Sequence, residues 1–498
     1  MINVFIQNKQ YSDQIKYVFD TIFFILGIKI VYKDNLDELS GTNNDLSIVY
    51  SSAFEIQEVP SNINNLILIK ESGKLFGVDY LKAGSVPSKI FKYNYCSSSE
   101  GTTDIISIFK EGEDLYISAI EDKNIIKTNI DIISDVFFML TRYEEVVNKE
   151  SVEIDKHDRF PARESLAYKN DFLHRPIVNE HIELLWSWIV GFSLGYKRLN
   201  WWGQKSFAVC LSHDVDHVIK NGNFLAACRH TLAVIFRFHK FKKAFHYLKS
   251  YFQNRGDYKR DPYWTFDYIL SMEKEHNLNS SFYFMASSSS DPDFRYDIND
   301  GRIRELIFKL EAYGREVGYH GSLRSYNNKK IMYMEKKSLD AIVSNKPYGC
   351  RQHYLKFQVP VTWRYQQQSG ILYDTTLSYA EHEGFRCGMC FPYKPYDIIE
   401  GKVMDIWEIP LIIMEGTLQS EMYRNLSPED ALTRIKNIIE AVKRHKGVFS
   451  ILWHNSSFDY NWEGWGYVFE ETMRYLGKSN CLSLSGSELI EYIGLRSD

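Results

Sequence analysis

The chain has no long hydrophobic run. Its most apolar early stretch, Val18–Tyr32, carries Asp20 and Lys29 and falls short of the ~20 residues a membrane-spanning helix needs. The opening residues, Met-Ile-Asn-Val-Phe-Ile-Gln-Asn-Lys-Gln, lack the basic-then-apolar order of a secretory signal. Cysteine is sparse and odd in number, seven in 498 residues, which argues against a disulfide framework and for reduced thiols. Cys387 and Cys390 form one C-x-x-C, open to a redox role, but no second cysteine pair completes a zinc site. Basic charge is not in excess: 59 Lys and Arg against 64 Asp and Glu leave a net −5, so no nucleic acid is expected as main partner. These absences predict a soluble, cytoplasmic protein.

Aromatic residues are abundant, at 15% of the chain with 34 Tyr, 31 Phe and 10 Trp. Such rings suit the apolar face of a sugar, and they equally build cores. At 498 residues the chain exceeds one ordinary core, and two domains are expected. Residues 1–195 read as a smaller α/β domain. Tyr11–Leu26 has helical periodicity, and Lys29–Tyr32 and Leu46–Tyr50 read as strands. Ile105–Lys110 and Leu115–Ile120 flank Glu-Gly-Glu-Asp, the pattern of a hairpin. Asp131–Val147 reads as one helix, Asp155–Arg163 as a loop against the second domain, and His181–Val190 as a further helix.

From Trp201 onward strands alternate with helices, the pattern of βα units in a parallel barrel or sheet, and residues 201–498 are taken as one domain. The strands are Phe207–Leu211, Ser280–Phe284, Glu316–Tyr319 and Val448–Trp453. Helices cover Tyr263–His276 and Ile303–Tyr313, and another opens at the N-cap Ser427 with Pro428 behind it and closes before Gly447. An insertion at about 218–260 holds ten Lys and Arg and one acid, Asp257. Its interleaved aromatics, as in Phe236–Phe241, suit a basic helix lying on an anionic membrane or holding an acidic glycan; a solvated helical cover over the barrel mouth is the plainer alternative.

Function is concentrated at the strand ends. Ser-His213-Asp214-Val-Asp216-His217 closes the first strand, and residues two apart on extended backbone face one side. Two carboxylates that close repel unless a cation sits between them. His320, Arg351 with His353, and His454 follow at the ends of later strands, and four such segments in one barrel point to a metal-assisted hydrolase.

The order of these segments resembles the polysaccharide deacetylase family (carbohydrate esterase family 4, the NodB homology domain), as a divergent bacterial member with an extra N-terminal domain. The matching features are Asp214-Val-Asp216, the strand Ser281–Phe284, His320, Arg351, Glu408-Ile-Pro410 and Leu452-Trp-His454. The resemblance implies a deformed (β/α) barrel preceded by the smaller α/β domain, and a metal-dependent carbohydrate N-deacetylase. Its substrate would be an N-acetylated glycan or sugar precursor. It implies a divalent metal, Zn2+ first, on Asp216 and His320 with one further His; from the residues themselves His353 is taken as that third ligand, with His217 and His213 as rivals. Asp214 would be the general base, Arg351 its tether and His454 the general acid. Trp453, Tyr354 and Trp407 are candidates for the sugar-contacting wall. The family's second motif carries another His where this chain has Arg324, and its third carries Pro where this chain has His353. Two other readings stay open: hydrolysis of a small non-sugar amide, and a non-catalytic glycan-binding or scaffold protein.

Overall fold

The structure is a computed structural model describing residues 1–39, 45–53, 63–97, 101–120, 124–220, 224–238, 256–286 and 295–497, with separate positions between 241 and 252. The chain divides into two compact units. One combines Met1–Trp201 with Phe385–Asp405 and the C-terminal residues from Ile493; the other combines Trp202–Gly384 with Ile406–Tyr492.

The first unit is built on a six-stranded sheet. Its strands run in the order Ile30–Lys33, Ile2–Ile6, Leu46–Ser51, Leu66–Lys70, Ile125–Thr128, Ile117–Ile120. All neighbours are parallel except the last pair. The hairpin read from Ile105–Lys110 and Leu115–Ile120 does not form. Gly101–Ser107 pairs instead with Phe91–Ser97, and Ile117–Ile120 with Ile125–Thr128. Short-range turn signals do not reveal which strands finally pair. The helix read over Asp131–Val147 is two helices, Ile132–Leu140 and Tyr143–Val147, parted at Arg142 with φ 52°. That left-handed residue turns its buried guanidinium onto Glu144 (3.0 Å) and Glu145 (2.8 Å). Arg386 also reaches Glu145, at 2.6 Å, and these paired charges satisfy one another away from water. Cys387 and Cys390 are buried cysteines in this unit, and burial pushes the Cys390 thiol up. It stays protonated and unreactive.

The second unit contains a parallel sheet in the order Trp407–Glu408, Tyr373–Asp374, Cys350–Gln352, Glu316–Gly321, Ser280–Met285, Phe207–Val215, Val448–Leu452, Ile413–Met414. Phe207–Val215 is buried along its whole length, its apolar run Phe207–Leu211 and its polar end alike. Cys481–Ser483 pairs with its first three residues on the edge that Ser280–Met285 takes over further on.

Only four residues, Ile409–Ile412, join the two edge strands of that row. Extended, the link from Glu408 to Ile413 reaches at most about 18 Å, whereas eight flat strands would span about 34 Å. The sheet must therefore curl. It stops short of closure because Pro410 has no N–H to give and its neighbours are committed elsewhere. Ile409 donates to Asp374 O (2.9 Å) on one edge, and Ile412 to Ser450 O (3.3 Å) on the other. The result is an open, deformed barrel whose seam lies at Glu408-Ile-Pro410.

Helices flank these strands. Ser427 Oγ accepts from Asp430 N and caps Pro428–Arg444, while Lys446 (φ 51°), just ahead of Gly447, takes the left-handed turn. In the insertion, a helix covers Phe224–Phe238. His239, Lys240 and most of 242–255 lie outside the described residues, and with them much of the basic run. No helix among the described residues is long and apolar enough to cross a membrane.

Candidate metal centre

Alternation along Phe207–Val215 sorts its polar end. Ser212 and Asp214 face Arg351, and His213 faces the other way. His213 donates Nδ1–H to Trp453 O (2.7 Å) and places Nε2 3.0 Å from Glu273 Oε1, against Phe282. Both its nitrogens are engaged in the layer outside the barrel, so His213 is no ligand. His217 sits one residue past Asp216, with its ring near Tyr263 (5.9 Å) and outside the ligand cluster described below. Burial lowers its pKa, so its ring favours the neutral form.

Asp214 is almost wholly buried beside an equally buried Arg351. The Arg351 Nη1 donates to Asp214 Oδ1 (2.9 Å) and Ser212 Oγ (2.8 Å), Nε to Thr375 O (2.9 Å), and Nη2 to Thr375 Oγ1 (3.2 Å). Its guanidinium also lies 4.9 Å from the Tyr283 ring. Burial works against that charge, but Asp214 and Tyr283 more than offset it and raise the Arg351 pKa. A buried ion pair with this many hydrogen bonds fixes a carboxylate in orientation.

His320 closes its strand at the next position round the barrel. It donates Nδ1–H to Arg351 O at 2.9 Å, and because a carbonyl only accepts, the neutral ring has a bare lone pair on Nε2. That atom points at Asp216 Oδ1, 3.0 Å away, and at Asp214 Oδ2, 3.8 Å away. His320 Nε2 and Asp216 Oδ1 are both buried without a hydrogen-bond partner of acceptable geometry. His353 Nε2 lies 3.6 Å from Asp216 Oδ2. Asp216, His320 and His353 each offer a ligand atom, all within 4.8 Å of one another. This cluster can hold a divalent metal ion.

The donor set fits that use. One carboxylate and two imidazoles suit a first-row divalent ion, and the orphaned Asp216 and His320 atoms would gain the partner they lack. Although burial favours a neutral acid, His353, His320 and His454 hold the Asp216 carboxyl well below its usual range. Arg324 is solvent-exposed and contributes no ligand atom. His353 enters the cluster just ahead of a sharp turn, as Tyr354 (φ 60°) and Leu355 (φ 54°) are successive left-handed residues directly behind it.

A third imidazole borders the cluster. His454 Nε2 is 3.6 Å from Asp216 Oδ2, and its Nδ1 donates to Glu415 Oε1 at 2.7 Å. Glu415 went unrecognised in the sequence. It follows the two-residue strand Ile413–Met414 and so occupies a strand end like the others, but so short a strand leaves no periodicity to read. Asn455 is also newly placed. Its Nδ2 donates to His217 O and Tyr263 O, both at 2.7 Å, tying the loop that carries Asp216 to the one that carries His454.

A family of unknown function, DUF7033, matches residues 2–192. No curated protein matches the chain. Among solved structures, a protein from Mycobacterium smegmatis assigned as a polysaccharide deacetylase is 16% identical, with 59% of this chain and 92% of that one covered at a TM-score of 0.39. A polysaccharide deacetylase from Bacillus cereus is 11% identical, covering 56% and 94% at 0.27. The carbohydrate deacetylase Agd3 is 8% identical, covering 99% and 87% at 0.36. These likenesses are distant, and the chemistry of the site rests on its own geometry.

The aromatic wall is only partly assembled. Tyr354 is exposed with its ring 4.4 Å from that of His353. Trp453 points away from the cluster into a buried packing group with Phe458, Trp465 and Phe469. Trp407 stands in register with Tyr373 in the edge strand. A cavity of about 570 Å3 opens beside the Asp216 loop, lined among others by Val218, Tyr258, Trp264, Arg295 and Tyr296. Tyr296 ties that wall to the strand end by donating its hydroxyl to Val215 O at 2.7 Å.

Proposed function

We propose that this protein is a metal-dependent hydrolase that removes an N-acetyl group from an amino sugar in a glycan or its precursor. The observation that carries the reading is the convergence of Asp216, His320 and His353 within 4.8 Å, beside a tethered Asp214 and a Glu415-backed His454. Asp216, His320 and His353 would hold the ion, with Zn2+ the choice this donor set favours. When bound, the ion would polarise the acyl carbonyl and make a neighbouring water more acidic.

The remaining work falls to the protein's own groups. Asp214 accepts the proton of the attacking water, since Arg351 occupies Oδ1 and leaves Oδ2 turned toward His320. Amide cleavage also needs a proton for the departing nitrogen, and His454 supplies it from Nε2. Glu415 favours the charged imidazolium and fixes which nitrogen faces the site. The sugar itself would lie across the exposed Tyr354 ring and into the cavity walled by Tyr258 and Trp264.

Metal content by mass spectrometry, together with acetate release from N-acetylglucosamine oligomers, tests this reading. One bound ion per chain and measurable acetate are expected. Asp214→Asn should lower kcat by roughly 10²–10⁴-fold, the usual worth of a positioned proton acceptor, with the ion still bound. Protein that binds no metal at all would overturn the proposal in favour of a non-catalytic glycan binder. Bound metal without acetate from any glycan would redirect it to a small non-sugar amide.

A further inference from the structure

The insertion at 218–260 is unlike the rest of the molecule. It carries ten Lys and Arg against one acid, whereas the whole chain has a net charge of −5. The stretch is therefore strongly basic, while the rest of the chain, with 49 Lys and Arg against 63 Asp and Glu, is acidic. Within it the helix Phe224–Phe238 turns large apolar side chains outward. Leu225 is 79% exposed, Leu232 52% and Phe236 74%. At 100° per residue, Phe224, Leu225, Leu232 and Phe236 fall within one sector of about 120°, and the buried Ala227 lies outside it. Phe241, Phe245 and Phe252 continue the exposed aromatic character beyond the helix.

A soluble surface in water does not ordinarily display such a stripe, and contiguous exposed apolar patches mark contact sites. The chemistry of the occupant follows from the charge. A helix with aromatic and leucine side chains on one face, set in a Lys/Arg-rich segment, matches a lipid surface with anionic headgroups: the apolar face enters the acyl boundary and the cations meet the phosphates. We infer that the helix Phe224–Phe238 docks this protein on an anionic membrane surface, lying in the interface without spanning it. Val218, Ile219, Tyr251 and Tyr258 of the same insertion line the cavity beside the Asp216 loop. The inference stands on the exposed helix and its charge, independent of the hydrolase reading.

Sedimentation of the full-length protein with vesicles of phosphatidylcholine alone, or with 30% phosphatidylglycerol added, tests it. Binding to the anionic vesicles is expected to be at least about tenfold tighter, and to fall severalfold as salt screens the headgroups. Leu232→Glu with Phe236→Glu should reduce binding at least about tenfold. Arg229→Gln with Lys249→Gln should weaken it and flatten the salt dependence. Both pairs replace exposed side chains, and an unchanged melting temperature shows that the fold is intact. Absence of binding to either vesicle, or equal binding to both, overturns the inference. So does a concentration-dependent dimer in light scattering that the Glu pair abolishes, which would assign the stripe to a second copy of this chain.

Discussion

Glu415 accepts two hydrogen bonds from the single residue His454, from its backbone N–H at 2.9 Å and its ring Nδ1 at 2.7 Å. Ser457 Oγ adds a third at 2.6 Å, so one buried carboxylate organises the whole turn after the last barrel strand. Burial works against a charged imidazole, yet Glu415 with Asp216 and Asp214 lifts the His454 pKa to about 10. A pKa raised above its unfolded value of 6.5 stabilises the fold fully below that value. The contribution is lost as pH rises through about 10.

Glu415→Gln should therefore bring the His454 titration down toward neutrality, read by NMR on the metal-free protein. Its melting temperature should drop most at pH below 6.5 and converge with the parent above pH 10. Turnover should fall at least tenfold in kcat with little change in KM, since the proton donor loses its orientation but touches the same substrate. A His454 titration unmoved by the substitution would show that Glu415 does not set it.

His353→Ala should weaken metal binding by more than the roughly 10–100-fold that loss of an outer-shell partner costs, measured by competition with a chelating dye. His213→Ala is the contrast. It leaves Glu273 with one partner fewer in the buried layer outside the barrel, so the melting temperature should fall while metal stoichiometry stays at that of the parent. Equal losses of metal in the two variants would remove His353 from the cluster.

Glu71 in the first unit is almost fully buried, and burial first, then Asp131, pushes its carboxyl up to about 7 against the pull of an Asn8 hydrogen bond. A raised acid pKa means the folded state holds its proton longer than the unfolded one. Stability is full below pH 4.5 and declines as pH rises to about 7. At about 1.4 kcal/mol per pH unit that decline is on the order of 3 kcal/mol. Glu71→Gln should remove the slope and raise the melting temperature at pH 8, as followed by calorimetry at several pH values. An unchanged slope would place the titration elsewhere.

Much of the second unit was legible because its strands are buried on both faces and so read as uninterrupted apolar runs. Phe207–Leu211, Ser280–Phe284, Glu316–Tyr319 and Val448–Trp453 overlap the observed strands. The two-residue strands Tyr373–Asp374, Trp407–Glu408 and Ile413–Met414 were not, because two residues carry no period. Glu415 was lost with the last of them. The break at Arg142 was invisible for a different reason: its cause is an ion-pair group completed by Arg386, 244 residues along the chain.

The sequence by itself determined which side chains end the barrel strands, since alternation of apolar runs with turn residues is a local property of the backbone. It also determined that Asp214 and His213 face opposite ways, because successive residues of a strand must. Only the tertiary structure decided which of the imidazoles meet Asp216. His320, His353 and His454 come from strands whose neighbours are fixed by sheet order, and their distances depend on how far a four-residue link at Pro410 forces that sheet to curl. Curvature of that kind is a property of the whole row of strands together, and no single segment encodes it.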